Sequence, residues 1–401
     1  MKKFIEILRK FVAIQSISAD QKYKDKIKEA AKLLGNFCTK NGLDVKIING
    51  FENPIVIIKT PFDQKLKTVL VYGHYDVQPA KKEDGWKNNP FRLTETKGKI
   101  FGRGTADNKA QILIHIYSVI NLLKEKRLGS NVIFLIEGNE ETGSTRLRKF
   151  LRKHKGMLKA DCILVSDSEL GPNNIPGLEK SFRGAMNFEV MLETGTDDLH
   201  SGLFGGVAPN AAEELSKIIG SLVEFTGRKT GFIPRTKEYE RRRTLEPTVE
   251  VTGLISGYVE NGFKNSIPCK ASAKINVRSV PSQDPGVLAE RVKKFILSKA
   301  PAHTKICFTD GENARGMVLE LKNPFAKKAR RILKEVYNKE PVVKRGGGTL
   351  PVGIIFRDIL KVPQVMVPLA DENCGAHSAS EFISLEAIEK GLQFSARFFS
   401  R

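Results

Sequence analysis

Val132-Ile133-Phe134-Leu135-Ile136 runs into Glu137-Gly138-Asn139-Glu140-Glu141 and then into the small-residue turn Thr142-Gly143-Ser144. An unbroken apolar run closed by glycine and polar residues predicts a strand over 131–137. Outward from it, helical and strand patterns alternate. A helix is expected over 21–41, short strands at 45–48, 55–58 and 69–72, a long helix over 107–126, a helix near 144–154 and a strand at 162–166. Such alternation predicts an α/β sheet with helices on both faces. Side chains alternate faces along a strand, but where the strand stops the chain can turn both Glu140 and Glu141 toward one cleft. Two carboxylates so close raise one pKa unless cations neutralise them. The pair therefore asks for a metal or a buried proton, with a solvated acidic turn as the plain alternative.

Near Arg183 the pattern changes. Strand 186–192, helix 210–225, strands 248–252 and 271–277, helix 285–298 and strand 304–308 follow the β-α-β-β-α-β order of a ferredoxin-like unit. A polar, basic connection, 226–246, lies inside it. After about residue 315 the α/β character returns, with helices at 324–337 and 352–359, a strand at 364–367 and a last helix from about 384. The expected organisation is one α/β domain built from 1–182 and 315–401, with a smaller α+β domain, 183–314, inserted into it.

The composition suits a soluble globular protein: 401 residues, 40% hydrophobic and 28% charged. No apolar stretch is long enough to span a membrane. Met1-Lys2-Lys3-Phe4-Ile5 begins like a secretory leader, but Glu6, Arg9 and Lys10 break it. It reads instead as an amphipathic helix with Phe4, Ile7, Leu8, Phe11 and Val12 on one face. Cys38, Cys162, Cys269, Cys307 and Cys374 show no paired spacing, which points to a reducing cytoplasm. The formal charge of +21 is spread along the chain, and its densest cluster, Arg241-Arg242-Arg243, is short. With no zinc-finger or aromatic-basic motif beside it, the charge reads as a lysine-rich surface rather than a specific nucleic-acid site.

Further candidate residues also cluster at strand ends. His74 and Asp76 follow the strand at 69–72, and a carboxylate beside a ligating imidazole fixes its tautomer. Asp107 stands in Gly102-Arg103-Gly104-Thr105-Ala106-Asp107 at the mouth of the long helix, where an N-cap is the ordinary role. Asp167 follows the strand at 162–166, and His377 lies in Gly375-Ala376-His377-Ser378. Two histidines with three or four carboxylates suit two divalent ions bridged by one carboxylate. Such a pair, roughly 3.5–4 Å apart, activates water and polarises a carbonyl.

Gly73-His74-Tyr75-Asp76-Val77-Gln78-Pro79, Trp86 with Pro90-Phe91, Gly102-Arg103-Gly104 through Asp107-Asn108-Lys109, Glu137 through Ser144, Asp167 and Gly375-Ala376-His377-Ser378 together resemble the aminoacylase/carboxypeptidase family of dizinc exopeptidases and deacylases. The resemblance covers nearly the whole chain. It implies a zinc-exopeptidase-type α/β/α catalytic domain carrying a ferredoxin-like lid and dimerisation domain. It implies His74 and His377 as ligands of one metal each, Asp107 as the bridge, and Glu141 and Asp167 as ligands of opposite ions. Glu140 becomes the general base and acid, and Asp76 orients His74. The two divalent ions would be zinc, with manganese or cobalt as alternatives.

Asp198-Leu199-His200-Ser201-Gly202 in the inserted domain is similar to the motif of the cytosolic dipeptidase branch. That implies a homodimer in which His200 reaches the other subunit's site and stabilises the oxyanion. The resemblance places Arg278 on the substrate carboxylate, for which a guanidinium fork is suited, and makes Asn265 a further substrate contact. The Gly-rich stretch Arg345 to Pro351 precedes a helix, so the backbone around Gly348 and Thr349 is a candidate carboxylate cradle. The chain departs from the dipeptidase pattern at Gly346, Thr349 and Ala110, where those relatives carry Glu, Ser and Gly. The expected substrate is a dipeptide. Deacylation of N-acetyl or N-succinyl amino acids and carboxypeptidase action are alternatives on the same centre. A non-catalytic basic binding protein on this fold is the reading from a different class.

Overall fold

The computed structural model describes residues 1–227 and 236–401, so residues 228–235 of the basic connection lie outside the described residues. The chain divides into two compact units. An outer unit comprises Met1–Lys180, Leu319–Lys344 and Ile355–Arg401; a middle unit comprises Ser181–Val318 and Arg345–Ile354.

The outer unit is built on a six-stranded sheet. Across it the order is Asp44–Ile48, Ile55–Lys59, Asn131–Glu137, Thr68–His74, Cys162–Val165 and Gln364–Met366. The last four strands are mutually parallel, and the first two join antiparallel. Asn131–Glu137 is buried at every position, as a strand covered on both faces must be. Asp44–Ile48, on the sheet edge, is half open to solvent. Helix Lys109–Lys124 carries apolar residues almost all round and is correspondingly buried. Helix Lys2–Ala13 buries Phe4, Leu8, Phe11 and Val12 and leaves its lysines outside; Ile7 packs at the margin. Ser384 and Asn323 cap the helices Leu385–Phe399 and Pro324–Tyr337 by accepting a backbone N–H at each start.

The middle unit has a four-stranded antiparallel sheet in the order Thr248–Ser256, Lys270–Ser279, Gly184–Glu193, Lys305–Ala314. Helices Ala211–Thr226 and Pro285–Lys299 pack on one face through Leu215, Ile218, Leu222, Leu288, Val292 and Ile296. The order and connectivity are those of the ferredoxin-like unit expected from sequence. One detail differs from the sequence reading. The segment Arg345–Ile354, expected within 315–401, packs with the middle unit. Arg183 holds it there: its backbone N–H donates to Gly348 O and its Nε to Gly347 O, at 3.0 and 2.7 Å. The polar, basic connection contains a helix, Lys237–Leu245, that carries the Arg241-Arg242-Arg243 cluster. Thr236 caps that helix, and Arg242 and Arg243 pair with Glu238 and Glu240 one turn back.

Candidate metal centre

Three adjacent parallel strands of the outer unit end together, and the side chains singled out from sequence follow those ends. This is where open α/β sheets put functional groups. His74 is the last residue of its strand and stands level with Glu137 on the neighbour. Glu140 and Glu141 open a short 3-10 turn, Glu140–Thr142, just beyond that neighbour. Asp167 lies two residues past Val165 on the other side. The sharp exit of the chain explains two glycines. A Cβ on Gly73 would lie 2.6 Å from Asn108 Oδ1, and one on Gly138 would lie 2.5 Å from the Tyr75 ring.

The structure brings His74, Asp107, Glu140, Glu141, Asp167 and His377 into one cluster. Asp107 stands at its middle. Its Oδ1 is 3.0 Å from His74 Nε2, and its Oδ2 is 3.0 Å from His377 Nε2. Asp167 Oδ1 lies 3.6 Å from His74 Nε2, and Glu141 Oε2 lies 3.2 Å from His377 Nε2. Glu140 Oε2 is farther out, 4.0 Å from His74 Nε2. Asp107 is not the helix cap that is its ordinary role; Asn108 occupies that position. Asn108 instead donates through Nδ2 to Asp167 Oδ1 and to Ser166 O.

Asp76 is fully buried and joins several parts of the cluster. Its side chain lies 3.4 Å from His74 Nδ1, and its carbonyl lies 3.1 Å from the same nitrogen. Its two oxygens also accept the backbone N–H groups of Glu140 and Glu141, and Ser18 Oγ donates to Oδ2. One carboxylate thus orients the imidazole and starts the turn that carries both glutamates. Below it, Tyr72 Oη and Ser144 Oγ both donate to Glu137, whose pKa burial pushes up to about 7.

The electrostatics are one-sided. Five carboxylates (Asp76, Asp107, Glu140, Glu141 and Asp167) face two imidazoles. Burial disfavours the His74 imidazolium, yet Asp167, Asp107 and Asp76 outweigh it and hold its pKa well above the ordinary value. Hydrogen bonds to Asp107 and Glu141 raise His377 to about 10. Burial lifts Glu140 well above the ordinary range; His74 opposes this, while Asp167, Asp107 and Glu141 add to the rise. Asp107 moves the other way: burial would raise it, but His377 and His74 pull it far down. The cluster holds its carboxylates only by recruiting positive charge, and divalent cations supply that charge more fully than protons.

Two overlapping donor sets could each hold an ion: His74, Asp107 and Asp167, and Asp107, Glu141 and His377, with the ligand atoms of each set within 4.8 Å of one another. The buried atoms fit a metal as well as the charge does. Glu141 Oε1 is enclosed and has no hydrogen-bond partner among the described residues. Such orphaned lone pairs are costly in a dry site and are satisfied by a cation. Nitrogen and carboxylate donors together suit zinc-like divalent ions.

The remaining candidates lie in the middle unit. His200 is exposed and caps a short turn, its Nδ1 accepting from Gly202 N–H. Asn265 is exposed, and its carbonyl accepts from Ser201 N–H. Arg278 is half-buried; its Nη1 donates to Thr349 Oγ1 at 2.9 Å and its Nε to Asn276 Oδ1. Gly348 is exposed and gives its carbonyl to Arg183. The sequence reading did not assign Glu381, Gln78 or Arg183. Gln78 Nε2 donates to Glu141 Oε2 at 2.8 Å, and its adjacency to the His74 motif was the available signal.

The profile of Peptidase family M20/M25/M40 matches residues 70–401. The chain is 28% identical to Cys-Gly metallodipeptidase DUG1 of Saccharomyces cerevisiae, over 99% of this chain and 94% of that protein. It is 29% identical to the Beta-Ala-His dipeptidase of Rattus norvegicus, over 86% and 79%. Among solved structures, the M20 family metallo-carboxypeptidase Sso-CP2 from Sulfolobus solfataricus superposes with a TM-score of 0.85 at 26% identity, covering 100% of this chain and 99% of that one. The strand-end cluster, the sheet order and a family match over most of the chain agree: the protein belongs to Peptidase family M20/M25/M40.

Proposed function

We propose that this protein is a metal-dependent dipeptidase whose hydrolytic centre is the cluster of the outer unit, holding two zinc ions. The observation that carries the reading is the division of Asp107, with one oxygen toward His74 and the other toward His377. His74, Asp107 and Asp167 would hold one ion, and Asp107, Glu141 and His377 the other. When bound, the metal pair supplies a Lewis acid for the scissile carbonyl and lowers the pKa of water. Glu140 belongs to neither donor set, so its carboxylate is free to take a proton from the attacking water and pass it to the departing amine. Asp76 keeps His74 in its tautomer and sets the turn from which Glu140 works.

The middle unit contributes substrate recognition in this reading. Arg278 would bind the free carboxylate of the dipeptide, with Asn265, Gly348 and Thr349 as neighbouring contacts. The active species would be a homodimer, in which His200 of one copy steadies the oxyanion in the other. The exposed apolar residues Val251, Leu254 and Ile255 on the edge strand, and Leu203 and Val207 after His200, support self-association. Sedimentation at micromolar concentration tests it; a monomer would remove His200 from the mechanism. Five unpaired cysteines support a cytoplasmic location. Among the described residues, no helix is long and apolar enough to cross a membrane.

Carboxypeptidase action is the second reading, supported by the full-length likeness to the Sulfolobus enzyme. Hydrolysis of unblocked dipeptides, longer peptides, and N-acetyl and N-succinyl amino acids by metal-loaded protein separates the readings. Dipeptide cleavage is expected to dominate. Release of C-terminal residues from long peptides alone, or cleavage of acyl substrates alone, would overturn the dipeptidase reading. A folded protein with no affinity for divalent metal would instead favour a binding role.

A further inference from the structure

Glu381 lies outside both donor sets, yet it connects the two loops that deliver the bridging and terminal ligands. Its side chain is 0% exposed. Its Oε1 accepts the backbone N–H groups of Gly104, Ala106 and Asp107, at 2.9, 2.8 and 3.1 Å. Its Oε2 takes Arg103 Nη1 at 2.6 Å and shares the Gly104 N–H at 3.0 Å. The backbone carbonyl of Glu381 accepts from Gly102 N–H as well. One residue therefore binds the turn 102–107 at both its start and its end. On its other side, Glu381 closes the loop that carries His377: the next residue, Phe382, donates its N–H to Cys374 O. Phe382–Ser384 then pairs with Lys99–Phe101, the strand leading into the Asp107 turn. Arg103 is itself buried, donates to Pro79 O and lies 5.4 Å from the Trp86 ring, so the partner of Glu381 cannot swing away.

We infer that Glu381 is a positioning residue for the metal pair: it holds the Asp107 and His377 loops in one register, so that Asp107 can present its two oxygens in opposite directions. It acts on the second half of the site as Asp76 acts on the first. A buried carboxylate with a guanidinium and three backbone N–H partners is rigid in a way that a solvated acid is not. Ligand orientation by such outer contacts typically governs metal affinity by 10–100-fold.

This inference rests on the metal-centre reading above. The test is a competition titration of zinc against a chromophoric chelator, using apo-protein whose fold is checked by circular dichroism. Parent protein is compared with Glu381→Gln and Glu381→Asp. The parent is expected to bind two equivalents; failure there would sink the metal-centre reading itself. Given a binding parent, Glu381→Gln is expected to weaken affinity about 10–100-fold while keeping its secondary structure. Glu381→Asp, which keeps the charge but shortens the reach, should fall between the two. A folded Gln variant within threefold of the parent would make Glu381 merely structural and overturn the inference. If the Gln variant does not fold, the Asp variant carries the same criterion. If neither folds, the positioning role is likewise rejected in favour of a purely structural one.

Discussion

The two units carry opposite electrostatic deficits. In the outer unit, five carboxylates crowd around His74 and His377 with no arginine or lysine among their ion-pair partners in the described residues. In the middle unit, Arg183 is buried and Arg278 half-buried, and neither has a carboxylate within 4 Å among the described residues. Burial lowers Arg183 to about 10, and the neighbouring charges of Arg278 and Arg243 add to the fall, against a pull from Glu250. Burial also lowers Arg278. Proteins rarely leave ionised groups buried and uncompensated unless something else supplies the missing charge. The acids of the outer unit thus face imidazoles, whereas the two arginines of the middle unit donate to neutral oxygens: Gly347 O and Glu246 O for Arg183, and Thr349 Oγ1 and Asn276 Oδ1 for Arg278.

The largest effect is expected from Glu140→Gln. Loss of a proton-transferring group costs roughly 10²–10⁴-fold in kcat, while zinc content should stay at the parent level because Glu140 lies in neither donor set. Loss of zinc in that variant would mean that Glu140 and Glu141 have exchanged roles. Removal of metal comes next. Chelation should lower the urea midpoint of the whole protein, because saturation at 100 times Kd stabilises by about 2.7 kcal/mol per site. An unchanged midpoint with and without chelator would break the outer half of the comparison. Arg278→Ala probes the other half. Removing one charged hydrogen-bonding group costs about 2 kcal/mol, a rise of roughly 30-fold in KM. kcat should change less; a matching fall in kcat with unchanged KM would place Arg278 in transition-state stabilisation instead.

Much of this architecture was legible because it rests on short-range pattern. The apolar runs ending in His74, Glu137 and Val165 declared strands, and the polar residues just past them declared chemistry. Glu381 was not legible. An acid in the polar loop Ser378-Ala379-Ser380-Glu381 reads as solvated, and its burial depends on Arg103, 278 positions away. Arg345–Ile354 was misplaced for the same reason, since its anchor, Arg183, is far upstream. The helix Lys237–Leu245 escaped because it has almost no apolar stripe and relies on a cap and ion pairs one turn apart. Periodicity reports contacts with a core; it is silent about contacts between two loops.

The last prediction sharpens the comparison within the outer unit itself, where two buried histidines behave oppositely. His74 is surrounded by acids. His115 sits between two hydroxyls, with Ser395 Oγ at Nδ1 and Ser166 Oγ at Nε2, and burial lowers it to about 3. A folded pKa below the unfolded value of about 6.5 means that only the unfolded chain gains a proton between those limits. The contribution of neutral His115 is therefore complete above pH 6.5 and is lost as pH falls toward 3, at up to about 1.4 kcal/mol per pH unit. Parent and His115→Gln, compared by urea unfolding at pH 7, 6, 5 and 4.5, should show the parent losing ground to the variant at that slope. Parallel curves would mean that His115 takes up a proton while folded, and that burial without acids is not enough to keep an imidazole neutral in this sheet.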